Sequence, residues 1–287
     1  MTPASRMRLS ATAKRLFPSF NTRLLLRRVV YMPHDLWDAA LGRRDELTPP
    51  RGLWFIGDGD FREQGKQSLE YFIRFGKLEP DDRVLDVGCG IGRMAVPLTR
   101  YLSKAGSYEG FDIVPKGIEW CSKHITPRYP NFKFSVADIY SKHYNHQGRF
   151  HAADYKFPYP DSSFDFVLLT SVFTHMLPEA VKNYIAEISR VLKLGGRCLL
   201  TGFLLNKESR HLIASGKSTL QFKDGPEDSC MVVDPAFPEA AVAFTEEFIT
   251  DSLDHVALSM EDPPVFGSWC GRAEGTDYPD IVVARRR

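Results

Sequence analysis

From residue 83 to residue 205 the chain alternates between two patterns. Short apolar or β-branched runs alternate with segments of roughly 3.6-residue apolar period. Strands are expected at Arg83–Val87, Tyr108–Ile113, Phe132–Val136, Phe164–Leu169 and Arg197–Leu205. Helices are expected at Arg93–Leu102, Lys116–His124 and from Pro178 through Leu192, with Pro178 at a first helical position. Gly195-Gly196 stand where a helix C-cap is expected. The run Phe164–Leu169 is almost continuously apolar, as a strand covered on both faces requires. Repeated β-α-β units with short connections close into a parallel sheet layered by helices. Further strands are expected at Val256–Met260 and Asp280–Ala284, and helices at Gln67–Phe75 and Phe244–Leu253. The predicted class is α/β, a Rossmann-like, doubly wound, mostly parallel seven-stranded sheet with an antiparallel last strand.

The divisions follow from where this rhythm stops. Pro49-Pro50 ends a basic N-terminal extension, residues 1–50, and a single domain of residues 51–287 follows. Residues 206–240 mix Ser, Gly, Asp and Pro without periodicity and are expected to form an insertion or lid. Residues 1–44 carry nine Lys/Arg and two Asp, whereas the remaining residues sum to −6 within a total of +1. The extension is a candidate for weak peripheral contact with a membrane or other acidic surface, and its residues 1–34, which contain Arg and Ser but no acid, also resemble an organellar transit peptide. The acidic balance of the rest argues against a nucleic-acid partner. The cysteines, at 89, 121, 198, 230 and 270, form no C-x-x-C pair and no zinc-spaced cluster. No metal is expected, and the scattered odd count suits a reducing, cytoplasmic setting.

In doubly wound sheets ligands bind beyond the carboxyl ends of the strands. The first such end is Gly88-Cys89-Gly90-Ile91-Gly92, a turn that lets backbone approach a ligand before a helix begins. Asp112 follows Gly92 by 20 residues, at the end of the second strand, where a carboxylate can accept bonds from both ribose hydroxyls. Together these point to a nucleoside site, and the spacing alone fits a dinucleotide or adenosylmethionine equally.

The stretch Val84-Leu85-Asp86-Val87-Gly88-Cys89-Gly90-Ile91-Gly92-Arg93 resembles motif I of class I S-adenosylmethionine-dependent methyltransferases. Phe157 to Asp165 is similar to that family's approach to strand four, and Glu187 to Gly196 to its passage into strand five. The likeness covers roughly residues 80–205. Ser171-Val172-Phe173-Thr174-His175-Met176 further resembles a bacterial subgroup. The resemblance implies S-adenosyl-L-methionine as cofactor. It implies that Gly88, Gly90, Gly92 and neighbouring backbone hold the methionine part, with Thr170 beside them. It assigns the ribose to Asp112 and Ile113, and to Asp86 the ordering of the loop or a water-mediated reach. The adenine acid is Asp138, followed by Ile139, in the preferred reading, with Asp154 as the alternative, because residues 140–153 look like an insertion.

Methyl transfer asks little of the protein beyond positioning, exclusion of water and, for a hydroxyl acceptor, removal of a proton. His175 is the best candidate base, since an ordinary imidazole titrates near pH ~6.5; a packing histidine at a helix start is the more frequent role for such a residue. Arg93, Ser171, Trp269 and Arg272 are candidates for contacting the acceptor, and the loop Phe55–Phe61 for covering the cofactor. No Asn-Pro-Pro-Tyr follows strand four, as amino methylation of bases would want; no Pro-Cys follows it, as cytosine C5 methylation would. The expected activity is methylation of a small molecule, at oxygen: a sugar, glycan precursor or specialised metabolite. Two rivals stay open: a methyltransferase-like binding protein without turnover, and another nucleotide enzyme on the same fold.

Overall fold

The computed structural model describes residues 20–55 and 59–287. Seven strands form the main sheet in the order β10-β11-β5-β4-β1-β2-β3. They are β1 (Arg83–Val87), β2 (Ser107–Asp112), β3 (Phe132–Val136), β4 (Phe164–Leu169), β5 (Leu192–Gly202), β10 (Leu258–Met260) and β11 (Asp280–Arg286). β1 to β5 pair in parallel, and β11 runs antiparallel to both β5 and β10. The expected class is therefore the observed one. The strand order reverses between β1 and β4, which sets a crevice beyond their carboxyl ends.

Helices cover both faces: α2 (Phe61–Arg74), α3 (Ala95–Tyr101), α4 (Pro115–His124), α5 (Pro178–Val191) and α7 (Glu246–Asp254). One core layer joins Leu85, Val87, Val167 and Leu169 to Val181, Ile185 and Ile188 of α5. The other joins Val84, Phe166 and Leu168 to Phe72 of α2 and Leu98 of α3. Alternate residues of β4 thus enter opposite layers, and burying each large side chain contributes roughly 1.5–3 kcal/mol.

Several boundaries differ from expectation, each for a local reason. α2 begins earlier, at Phe61, because the Asp60 carboxylate caps it by accepting from the amides of Arg62 and Glu63. α3 begins at Ala95, so Pro97 lies in its first turn, where no amide is needed. Gly195-Gly196 do not cap α5, which ends at Val191; they lie inside β5, where Gly195 takes φ 78° and the pairing with β4 shifts register. The strand also stops at Gly202, because Leu204–Leu205 leave as β6 to start a second sheet.

That second sheet, in the order β6-β9-β8-β7, organises the expected insertion. It adds β7 (Lys223–Asp224), β8 (Cys230–Val232) and β9 (Val242–Thr245), with α6 (Lys207–Ala214) on its flank. α6 is held by a capping box between Asn206 and Ser209. Before the domain, α1 (Phe20–Ala40) buries Phe20 and Leu24 against Val114, with Phe55, Ile113 and Tyr144 packed around them.

Candidate active site

A cavity of about 860 Å³ opens beyond the carboxyl ends of β1, β2 and β4, within the range of small-molecule sites. Its floor is the glycine turn. Gly88, Gly90 and Gly92 have φ 82°, 59° and 80°, the left-handed region that favours glycine. A Cβ on Gly88 would lie 2.4 Å from Val172 Cγ2. The turn is pinned by the amides of Gly88 and Cys89, which donate to the Phe111 carbonyl at 2.9 and 3.0 Å.

Asp112 ties the turn to the next strand. Its Oδ2 accepts from the Gly90 amide and its Oδ1 from the Val114 amide, both at 2.8 Å. Burial pushes its carboxyl up to about 6, against those backbone bonds that favour the ion. A carboxylate has about four acceptor positions, so Asp112, which lines the cavity, keeps acceptor capacity beyond these two bonds. Asp86 lies beneath, fully buried and outside the lining. Its Oδ2 accepts from Tyr108 Oη at 2.6 Å, while Oδ1 has no partner. Burial raises its carboxyl to about 7, opposed by the Tyr108 bond and assisted by Asp112.

Of the residues singled out in the sequence, Gly88, Gly90, Arg93, Asp112, Ile113, Ile139, Thr170, Ser171 and His175 line the cavity. Gly92 does not: a Cβ there would meet Cys121 Sγ at 2.8 Å, so this glycine serves the packing of the turn on α4. Asp138 does not line it either, and its carboxylate pairs with Arg149. Asp154, the alternative acid, sits exposed in a short 3-10 turn and also stays out of the lining.

Trp269 and Arg272, expected to meet an acceptor, are drawn away from the cavity by Asp280. This buried carboxylate accepts from Trp269 Nε1 at 2.6 Å, from the amides of Leu204 and Gly267 at 2.7 Å, and from Arg272 at 3.2 Å. Trp269 is fully buried and packs behind Phe203 in a tilted pair, ring centroids 5.1 Å apart; Phe203 lines the cavity. An ionised group in the interior gathers whatever donors are near, and here the loop after β10 and Leu204 supply them.

His175 closes a 3-10 turn, Phe173–His175, just before α5. Ser171, at the end of β4, takes φ 58°, unusual for a residue with a Cβ. It is held there by its amide donating to Thr201 Oγ1 at 2.8 Å, and Thr174 Oγ1 donates back to its carbonyl at 3.1 Å. The His175 ring reaches the insertion: Nδ1 lies 3.0 Å from the Glu239 carbonyl oxygen. A carbonyl oxygen only accepts, so Nδ1 carries the proton and Nε2 is the basic nitrogen of the neutral ring.

Several lining residues were not legible in the sequence. Tyr144, from the 140–153 excursion, packs its ring 6.4 Å from that of His175. Burial and the Asp112 charge push its phenol up to about 12. Leu220, Pro226, Glu227 and Glu239 come from the insertion, and Tyr278 from the loop before β11. Their only sequence signal was membership of segments that break the β-α rhythm. Phe55, of the loop expected to cover the cofactor, lines the cavity, while residues 56–58 of that loop lie outside the described residues.

A doubly wound sheet with a glycine turn, an acid after the second strand and a cavity at the reversal point defines a nucleoside-binding α/β protein. Residues 85–200 match the family described as methyltransferase domain. That match, over residues 85–200 of 287, supports a class I S-adenosylmethionine-dependent methyltransferase domain with S-adenosylmethionine as cofactor. It is similar to the 27-O-demethylrifamycin SV methyltransferase of Amycolatopsis mediterranei, 33% identical over 155 residues, 54% of this chain and 50% of that one. It is also similar to the tRNA N(3)-cytidine methyltransferase METTL2 of Gallus gallus, 32% identical over 129 residues, 42% of this chain and 30% of that one. The chain thus spans half or less of the length of these two relatives. The crystal structure of the PH0226 protein of Pyrococcus horikoshii OT3 shares the fold, with TM-score 0.55 and 18% identity over 82% of this chain and 95% of that one.

Proposed function

We propose that the chain methylates a small-molecule acceptor at oxygen, with S-adenosylmethionine as donor and His175 as base. The observation that carries the proposal is the bond from His175 Nδ1 to the Glu239 carbonyl. It fixes the tautomer whose Nε2 can take a proton, on the wall that also holds Thr170 and Ser171.

The residues present suit the cofactor. The Gly88 position admits no Cβ, and the amino end of α4 approaches the turn so closely that a Cβ on Gly117 would lie 2.4 Å from the Gly90 carbonyl oxygen. In this reading Gly88 and Gly90 hold the methionine part by backbone, and Asp112 with Ile113 accepts the ribose. Asp86 orders the turn from below through Tyr108. Arg93 lines the cavity with a buried Nε that lacks a partner, which suits an anionic group. Ile139 contributes apolar surface beside the adenine, and Asp138 takes part only if Arg149 releases it.

S-adenosylmethionine brings a methyl carbon already activated by a positively charged sulfur. The protein's share is to align an acceptor oxygen with that carbon, keep water out and remove the hydroxyl proton. Phe203, Leu220 and Tyr144 supply apolar and aromatic walls; Thr170 and Ser171 supply hydroxyls for orientation. Nε2 of His175 receives the proton, and the Glu239 carbonyl steadies the imidazolium through Nδ1.

The rifamycin relative supports a small acceptor and transfer to oxygen by its name. The tRNA relative names another acceptor class; the net charge of −6 over residues 45–287 weighs against that class here. A sugar, glycan precursor or specialised metabolite is the proposed acceptor. The proposed partners are that molecule and, through residues 1–44, a peripheral acidic or membrane surface. A cytoplasmic site is proposed from the five free, buried cysteines. Among the described residues no helix is long and apolar enough to cross a membrane.

The test is transfer of labelled methyl from S-adenosylmethionine into a metabolite extract of the source organism. A labelled small molecule that disappears with His175→Ala supports the proposal. Tight S-adenosylhomocysteine binding with no labelled product would favour a binding protein instead.

A further inference from the structure

Helix α1 has two unlike faces. The inner face buries Phe20, whose ring lies 5.9 Å from that of Phe55 and 5.3 Å from that of Tyr144. Both acids of the helix also point inward. Asp35 accepts from the amides of Arg51 and Gly52 at 2.7 and 3.0 Å, and Asp38 pairs with Arg51 at 3.4 Å. The outer face is apolar and exposed: Leu25 59%, Val29 59%, Val30 68%, Leu36 64% and Trp37 62%. At roughly 100° per residue these fall on one half of the helix, opposite Leu24 and Asp35. Leu41, just past the helix end, continues the face at 49% exposure.

We propose that α1 is an interfacial helix that docks the protein on an anionic phospholipid bilayer. An apolar stripe of this extent on a soluble surface calls for a cover, and charge decides between covers. Residues 1–44 hold nine Lys/Arg and two Asp, and the two Asp are spent on the loop at Arg51. Two copies meeting face to face would bring like charges together, whereas an anionic headgroup layer attracts them. A helix of 21 residues spans roughly 30 Å, enough to lie flat with its apolar half at the acyl boundary and Trp37 at headgroup depth. Phe55 and Tyr144, which receive Phe20, line the cofactor cavity, so the docked helix is one side chain from the cavity wall. Docking is independent of which acceptor that cavity takes.

The experiment is co-sedimentation of the full chain with vesicles of phosphatidylglycerol and phosphatidylcholine, against vesicles of phosphatidylcholine alone, at low and high salt. Binding should be at least about tenfold stronger to the anionic vesicles and weaken with salt. The double variant Val29→Glu/Leu36→Glu should lose at least about tenfold in binding. It should keep its circular dichroism and S-adenosylhomocysteine affinity, because both side chains are exposed. Trp37 emission should shift to shorter wavelength with anionic vesicles, and that shift should vanish in Trp37→Phe. No binding to anionic vesicles overturns the proposal. So does binding that Val29→Glu/Leu36→Glu leaves intact. Dimerisation abolished by the same double variant, with no vesicle binding, would show instead that a second copy covers the face.

Discussion

His175 and Glu239 stand 64 positions apart, yet the histidine's Nδ1 lies 3.0 Å from the glutamate's carbonyl oxygen. The contact ties the turn after β4 to the insertion that roofs the cavity. It also decides which ring nitrogen is basic. Replacing His175 by Ala should lower methyl transfer about 10²- to 10⁴-fold, the usual worth of a positioned base. S-adenosylhomocysteine affinity should stay within about threefold, because the proposed cofactor residues Gly88, Gly90 and Asp112 belong to the turn after β1 and the end of β2. Single-turnover kinetics beside calorimetry separate the two; an equal loss in both would make His175 a structural residue only.

As the proposed ribose acceptor, Asp112 should carry the pH dependence of cofactor binding. Burial raises its carboxyl to about 6 in the free protein, and ribose hydroxyls donate to the ionised form. The ligand therefore favours the charged state and lowers that value. Affinity for S-adenosylhomocysteine should rise as pH goes from about 5 to 7, with release of a proton on binding. Asp112→Asn should flatten the dependence and weaken binding at neutral pH by at least about tenfold. Calorimetry in buffers of different ionisation enthalpy reads both effects.

Asp86 sets a stability trend of the opposite sense. Its folded-state value, about 7, lies above the ordinary 3.8, so between those limits the folded chain holds a proton that the unfolded chain has released. Its contribution to stability is therefore greatest in acid and declines as pH rises through about 7. Asp86→Asn, which keeps an acceptor for Tyr108, should reduce that decline. Denaturant titrations at pH 5 and pH 8 check it; an unchanged difference between the two would refute the assignment.

The turn itself is intolerant of a side chain. Gly88→Ala would place a Cβ 2.4 Å from Val172 Cγ2 at φ 82°. We expect a folded protein, destabilised by about 1–3 kcal/mol, whose cofactor binding falls below detection. Val172→Ala in addition should restore part of the stability while the affinity stays low, because the added methyl still stands where backbone must approach the ligand.

Asp280 holds the root of the insertion. Asp280→Ala would strand the Leu204 and Gly267 amides, Trp269 Nε1 and one Arg272 contact, and should destabilise by about 3–5 kcal/mol. Trp269→Phe removes one donor and should cost about 1–3 kcal/mol. Thermal unfolding gives the ranking. Since neither residue lines the cavity, the milder variant should keep most of its activity at low temperature.

Local sequence was enough wherever the backbone itself is the feature. Alternating apolar runs and helical periods, punctuated by Gly and Pro, specify the strands and helices of the main sheet, because those patterns act within a few residues. The same holds for the place of the turn at 88–92 and of Asp112, which follows from strand, turn and helix in sequence and brings the Gly90 amide to the Asp112 carboxylate. Tertiary structure decided which side chains meet at the cavity. Trp269 and Arg272 had the right loop for an acceptor site, but Asp280, Leu204 and Gly267 gather around one buried charge and draw them inward. Tyr144 and Glu239 belong to segments without periodicity, and only the folding of those segments over the sheet brings them to His175. The contacts with His175 and the Leu204–Asp280 bond join residues dozens of positions apart, and the energies of all these contacts depend on burial and charge, which no local pattern carries.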